Sequence, residues 1–261
     1  MPFLSPPRKT FRYTVVWCVA TALPLFPLLA WVAYDFYQSR RVDPVLGFFT
    51  GLFGLLFAYA CLWRKTTVTI HEEGISYKSP FGQKDLRWNE ITETRYGQQP
   101  INMAVHFGLI GWLVAAAAGG NNKMNRSFEL IGPQKIAVNS NVRDVEEVVR
   151  LCLAEINPRL RQDTERILDS GGTVSFGKIS LSPAGVVWKS KEPIPYAAIV
   201  KSKIDGSMLR IKAEGKWLDN IAVAAKKVPN VFILLDLIEE KHSGAASKTP
   251  VMAGSSANQY L

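Results

Sequence analysis

The chain has 261 residues, 48% of them apolar and 20% charged, with a formal net charge of +9. The charge is spread: residues 1–63 carry +3, 64–172 carry +1, 173–240 carry +3 and 241–261 carry +2, so no region has the dense basic field of a nucleic-acid binder. Cys18, Cys61 and Cys152 show no CxxC and no ladder of spacings, which excludes a disulfide-rich scaffold.

Residues 1–12 read as an N-terminal cytoplasmic segment, and residues 13–63 as a transmembrane helical hairpin. Tyr13–Tyr34 carries no charge and would span about 33 Å as a helix, against a hydrocarbon core of roughly 30 Å. Pro24 and Pro27 would kink it, and Tyr13, Trp17, Trp31 and Tyr34 mark its ends like interfacial belts. Pro44–Trp63 is a second uncharged run of spanning length. Arg8, Lys9, Arg12, Arg64 and Lys65 flank the outer ends, and the connecting loop holds only Arg40 and Arg41. The excess predicts a membrane protein with both termini in the cytoplasm.

From residue 64 the period of the apolar residues becomes that of strands. "TVTIHEEGISYKS" alternates around Glu73-Gly74, and "GKISLSPAGVVWKS" does the same about 110 residues later. With Gly74 aligned on Gly185, Val68 falls on Ile179, Ile70 on Leu181, Ile75 on Val186 and Tyr77 on Trp188. "LRWNEITETRYG" then matches "IPYAAIVKSKID", and two more strand-like pieces follow in each copy. Each copy ends in a helix, with Asn141 the expected start of the first and Asn230 or its preceding turn that of the second. This is a tandem repeat. It predicts an α+β fold with a first unit at 64–157, a short charged linker helix at 158–172, a second unit at 173–240 and a disordered tail at 241–261. Each unit would be a bent antiparallel sheet or partly open barrel closed by its C-terminal helix.

The β-turn-Gly hairpin, the Trp88-Asn89-Glu90-Ile91 element, the later strands and the closing helix resemble bacterial pleckstrin-homology-like (PH-like) domains. "VSFGKISLSPAGVVWKSKEPIPYAAI" and "KVPNVFILLDLIEE" are similar to an uncharacterised membrane-anchored family with tandem copies of that domain. The resemblance covers about residues 65–240 and implies a membrane-associated module. The second copy departs from the pattern, with Tyr196-Ala197-Ala198-Ile199 at the W-x-E-I position.

No catalytic, metal or cofactor constellation emerges from the spacing. "HEEG" at 71–74 lacks the second His of a zincin motif and lies on a turn, and "SGGTVSFG" runs from helix to strand, the reverse of a phosphate cradle. One charge pattern stands out. Lys201 and Lys203 share a strand face, as do Arg210 and Lys212. Paired as a hairpin, the four would form one strip, either a surface for anionic headgroups or an ordinary solvated face.

"INMAVHFGLIGWLVAAAAGG", residues 101–120, is apolar but interrupts the first copy between two strands that the second copy joins through Asp205-Gly206. A single crossing would part the halves of one domain, so the segment is expected to be an insertion at a hairpin tip. Phe107, Leu109, Ile110, Trp112 and Leu113 would touch the bilayer, the anchor or another subunit. The expected function is non-enzymatic docking of a protein or an anionic lipid surface. An accessory subunit or enzyme with a site between the units, and a self-associating scaffold, are the alternatives. Expected partners are the bilayer, anionic headgroups, an unknown protein or a second copy, and no nucleic acid.

Overall fold

The computed structural model describes residues 5–14, 16–39, 43–100, 124–189, 191–215 and 220–246. Among them the fold is α+β, with thirteen strands in four antiparallel sheets and four α-helices. The apolar insertion 101–120 and residues 247–261 lie outside the described residues. The described chain forms two compact units: one takes residues 5–85 and 141–143, the other 86–100, 124–140 and 144–246.

The first unit holds strands β1 (Pro7–Arg12), β2 (Thr67–His71), β3 (Gly74–Ser79) and β4 (Gly82–Arg87), the last crossing into the second unit, in the order β1-β2-β3-β4. The strand β1 lies within the expected N-terminal segment 1–12, where the sequence foretold no strand. Its residues PRKTFR are mostly polar and solvent-facing, so no alternation announces it, and only Phe11 is buried. It is a strand because β2 pairs with it: Thr10 lies opposite Thr69, Phe11 opposite Val68 and Arg12 opposite Thr67. Helices α1 (Val16–Ser39) and α2 (Pro44–Trp63) are inserted between these two strands and pack along each other. Asp43 caps α2, its carboxylate accepting from the amides of Val45 at 2.8 Å and Leu46 at 3.2 Å, with Pro44 in the first turn where its missing N–H costs nothing. Tyr13, Tyr59, Trp63 and Phe81 form a run of ring contacts where the helices leave the sheet. Burial and a hydrogen bond with Tyr77 push the Tyr13 phenol well above its ordinary pKa.

The second unit holds three sheets. Strands β5 (Glu93–Pro100), β6 (Met124–Ile131) and β7 (Lys135–Asn139) form one; β8 (Val174–Phe176), β9 (Ile179–Ser182) and β10 (Gly185–Trp188) another; β11 (Ile199–Asp205), β12 (Met208–Ala213) and β13 (Ile221–Ala224) the third. Each copy of the repeat runs through a hairpin, a short 3-10 turn (Trp88–Glu90 or Tyr196–Ala198), three strands and a helix. Glu90 accepts a hydrogen bond from the Arg87 amide at 3.1 Å, closing its turn, and the second copy has Ala198 there. Gly185 sits against the backbone of Ile194, where a Cβ would overlap a carbonyl oxygen, and its φ of 144° is one that L side chains rarely adopt.

Helix α3 (Val145–Asp169) replaces the expected closing helix and separate linker helix. It begins four residues after Asn141, and Val142 instead bridges Tyr13. Pro158 does not end it, because the buried face continues through Ile156, Thr164 and Leu168, and Arg159 donates to the carbonyl oxygens of Trp88 and Ile91. Tertiary contacts here outweigh the local cost of an internal proline. Helix α4 (Val231–Ala246) extends six residues past the expected boundary at 240.

Two contacts join the β5–β7 sheet to α4. Asn230, left-handed at φ 51°, accepts from the Thr94 amide at 2.8 Å and its hydroxyl at 3.2 Å, and returns its own amide to the Thr94 carbonyl at 2.8 Å. Beside it the rings of Tyr96 and Phe232 lie 5.2 Å apart, both buried. Glu129, buried on β6, receives Lys135 at 2.9 Å and Lys226 at 3.1 Å. Burial alone would raise its pKa, but the two ammonium groups outweigh that and hold it below the usual carboxylate value.

Replacing Asn230 by Ala removes both side-chain bonds and puts a Cβ residue in the left-handed region without compensation; a loss of about 2–3 kcal/mol in urea unfolding is expected, with Asn230→Gly recovering part of it. Glu129→Gln should cost about 1–3 kcal/mol near pH 7. Because the folded carboxyl has the lower pKa, its contribution is present above the ordinary value of about 4.3 and fades as pH falls through the folded value. Unfolding midpoints of the two proteins should therefore converge on acidification.

Candidate functional site

The β11–β12 hairpin carries the most concentrated charge pattern foreseen in the sequence. Alternation places Leu209 and Ile211 inward, both fully buried, and leaves Arg210 exposed on the other face with Lys212 beside it. The register sets Lys201 directly opposite Lys212 and Lys203 directly opposite Arg210. All four candidate cations are thus brought together as two cross-strand pairs of like charge, an arrangement that costs stability unless an anion offsets it.

Asp205, at the end of β11, offsets one pair. Its carboxylate lies 3.4 Å from the Lys203 ammonium and 3.7 Å from the Arg210 guanidinium. Sequence reasoning assigned Asp205 only to the turn, although its position two residues after Lys203 on the same strand face carried the signal. Among the described residues no carboxylate lies within ion-pair distance of Lys201 or Lys212. Lys201 and Lys203 also line an open groove of about 430 Å³ along β11, whose other wall is Ile238, Glu239 and His242 of α4. The His242 ring contacts the Tyr196 carbonyl at 3.1 Å, and the Tyr196 hydroxyl donates to the Ser182 carbonyl at 2.8 Å. Burial pushes the Tyr196 phenol up to about 12.

The other candidate residues, Phe107, Leu109, Ile110, Trp112 and Leu113, lie outside the described residues. His71 is bound between the Ser5 carbonyl and the Ser76 hydroxyl, each at 3.2 Å, which gives the "HEEG" turn a structural role. Among the described residues no group of three His, Cys, Asp or Glu side chains is placed to hold a metal ion.

A second surface is apolar. Leu23, Phe26, Trp31 and Tyr34 of α1 and Phe48, Leu55 and Tyr59 of α2 are exposed, Leu55 at 74%. By length and composition α2 is apolar enough to cross a membrane, with a mean hydropathy of 2.1 and few buried residues.

Fold and surfaces define an α+β protein of antiparallel sheets with a cationic hairpin and an exposed apolar helix pair. The chain belongs to a family of unknown function, DUF6585, which matches residues 3–247. No curated protein and no solved structure matches it.

Charge at the hairpin is open to direct test. Asp205→Asn removes one negative charge beside Lys203 and Arg210, and should tighten binding of a short-chain anionic lipid to the protein by roughly fivefold, as about 1 kcal/mol per unit of charge implies. Asp163→Asn, a change of equal charge on α3, should leave that binding unaltered in a calorimetric titration.

Proposed function

We propose that the chain is a non-enzymatic integral membrane protein whose helix pair crosses the bilayer twice and whose tandem PH-like module docks on an anionic lipid surface from the cytoplasmic side. The observation that carries the reading is the pairing of β1 with β2 across the inserted helices. Arg12 opposite Thr67 holds the chain entering α1 and the chain leaving α2 at neighbouring-strand distance. Whatever bilayer the helices enter, both ends must therefore emerge on one side, and the number of crossings between them is even. Were α2 alone to cross, Arg12 and Thr67 would be separated by the membrane.

Length and exposure support two crossings. The 24 residues of α1 and 20 of α2 correspond to about 36 and 30 Å, against a core of roughly 30 Å. In water the exposed Leu, Phe, Trp and Tyr side chains would form an apolar patch far beyond that of an ordinary soluble surface. In lipid they need no cover. Arg8, Lys9, Arg12, Arg64 and Lys65 gather at the strand end of the pair, favouring a cytoplasmic module.

The like-charge pairs of β11–β12 are the support for an anionic surface as the docking partner, since phosphate or carboxylate headgroups would relieve the repulsion between Lys201 and Lys212. The repeated order of hairpin, 3-10 turn, three strands and helix supports the PH-like reading of both copies.

In a cysteine-free background, Gln38→Cys at the far end of α1 should react with a membrane-impermeant maleimide in intact cells. Glu214→Cys, in the second copy, should react only after permeabilisation. Labelling of Glu214→Cys from outside would overturn the cytoplasmic placing of the module, and release of the protein by alkaline carbonate would overturn the two-crossing reading.

A further inference from the structure

Two of the three cysteines meet at the base of the helix pair. The β1–β2 register that sets Arg12 opposite Thr67 continues one residue further, the Tyr13 amide donating to the Thr66 carbonyl at 3.3 Å. From that pair, five residues lead up to Cys18 in the first turn of α1, and five lead back to Cys61 in the last turn of α2. On antiparallel helices rising equally per residue, the two stand at one height. The Cys18 thiol lies near enough to that of Cys61 to interact with it, and both are part-exposed. Cys152 differs in being fully buried on α3, out of reach of a dissolved oxidant.

We propose that Cys18 and Cys61 are a dithiol–disulfide site, a reversible redox latch that joins α1 to α2 where they leave the sheet. The oxidant is a small disulfide of the cellular thiol pool, R–S–S–R. One cysteine thiolate attacks it, forming a mixed disulfide and releasing one R–S⁻. The second cysteine thiolate then attacks the cysteine sulfur of that mixed disulfide, forming the Cys18–Cys61 bond and releasing the second R–S⁻. Two protein thiols are oxidised, one external disulfide is reduced to two thiols, and the two cysteine protons end on the leaving thiolates. Excess reduced thiol reverses both steps.

Two features favour this pair. The strand ladder and the ring contacts of Tyr13, Tyr59 and Trp63 already hold the two helix ends together, so closure requires no large movement. The site also lies within the first turn from the helix ends, about 3 Å inside them, where a water-soluble oxidant reaches it. The closed bond removes sliding of α1 against α2 and couples the helix pair rigidly to β1 and β2. In a compartment held reducing by thiols the latch rests open and closes under oxidation. The site depends on the helix-pair geometry alone and holds whether or not the helices cross a bilayer.

The test uses the full-length protein in membranes, treated with glutathione disulfide, denatured and counted with a polyethylene-glycol maleimide. The untreated chain should take three maleimides and the oxidised chain one, and dithiothreitol should restore three. Mass spectrometry should find the Cys18 and Cys61 peptides joined within one chain. Cys152→Ser should lose two reactive thiols on oxidation like the wild type, whereas Cys18→Ser and Cys61→Ser should form no internal bond. Three reactive thiols after oxidation, a glutathione adduct that is never resolved, or dimers linked through Cys18 or Cys61 would each overturn the proposal.

Discussion

The pairing of β1 with β2 is the constraint on which the rest of the first unit depends. A ladder of a few residues, Lys9 to Arg12 against Thr67 to Ile70, closes a loop that contains both long apolar helices. An open connection would let those helices separate, or leave the two flanking segments on different sides of a membrane. The ladder forbids both, because backbone hydrogen bonds act only over neighbouring-strand distance. The pairing carries on past β1, where the Tyr13 amide donates to the Thr66 carbonyl and Val142 bridges Tyr13.

The second unit depends on a different device. Its β5–β7 sheet comes from the first copy of the repeat, and the segment it meets through Lys226, Asn230 and Phe232, at the entry to α4, comes from the second. Asn230 tolerates the left-handed backbone that the start of α4 requires, and its side chain completes the hydrogen bonding of Thr94. Glu129 is acceptable inside because two ammonium groups from different elements reach it. The copies are therefore not beads on a string: the polar groups of one are satisfied by the other.

Much of this was legible in the sequence. Alternation around Gly74 and Gly185 located both hairpins, the pattern of Lys201, Lys203, Arg210 and Lys212 located the cationic strip, and the limits of α2 followed from an uncharged run bounded by Asp43 and Arg64. Three things were not. The strand β1 has almost no buried face, so its sequence carries no period of two. The continuation of α3 through Pro158 depends on Arg159 finding carbonyl oxygens far away in the chain. The neutralising role of Asp205 depends on the cross-strand neighbour that brings Arg210 within its reach.

The sequence by itself determined the local periods, the two apolar helices and the placing of cations on one strand face, because each arises from side chains spaced along a single element. Tertiary structure alone decided that residues 7–12 form the strand that closes the helix pair, that Asn230 and Glu129 join two copies of the repeat, and that Cys18 meets Cys61. Those contacts join residues from about 40 to more than 130 positions apart, and their energy comes from pairing groups that no local pattern relates.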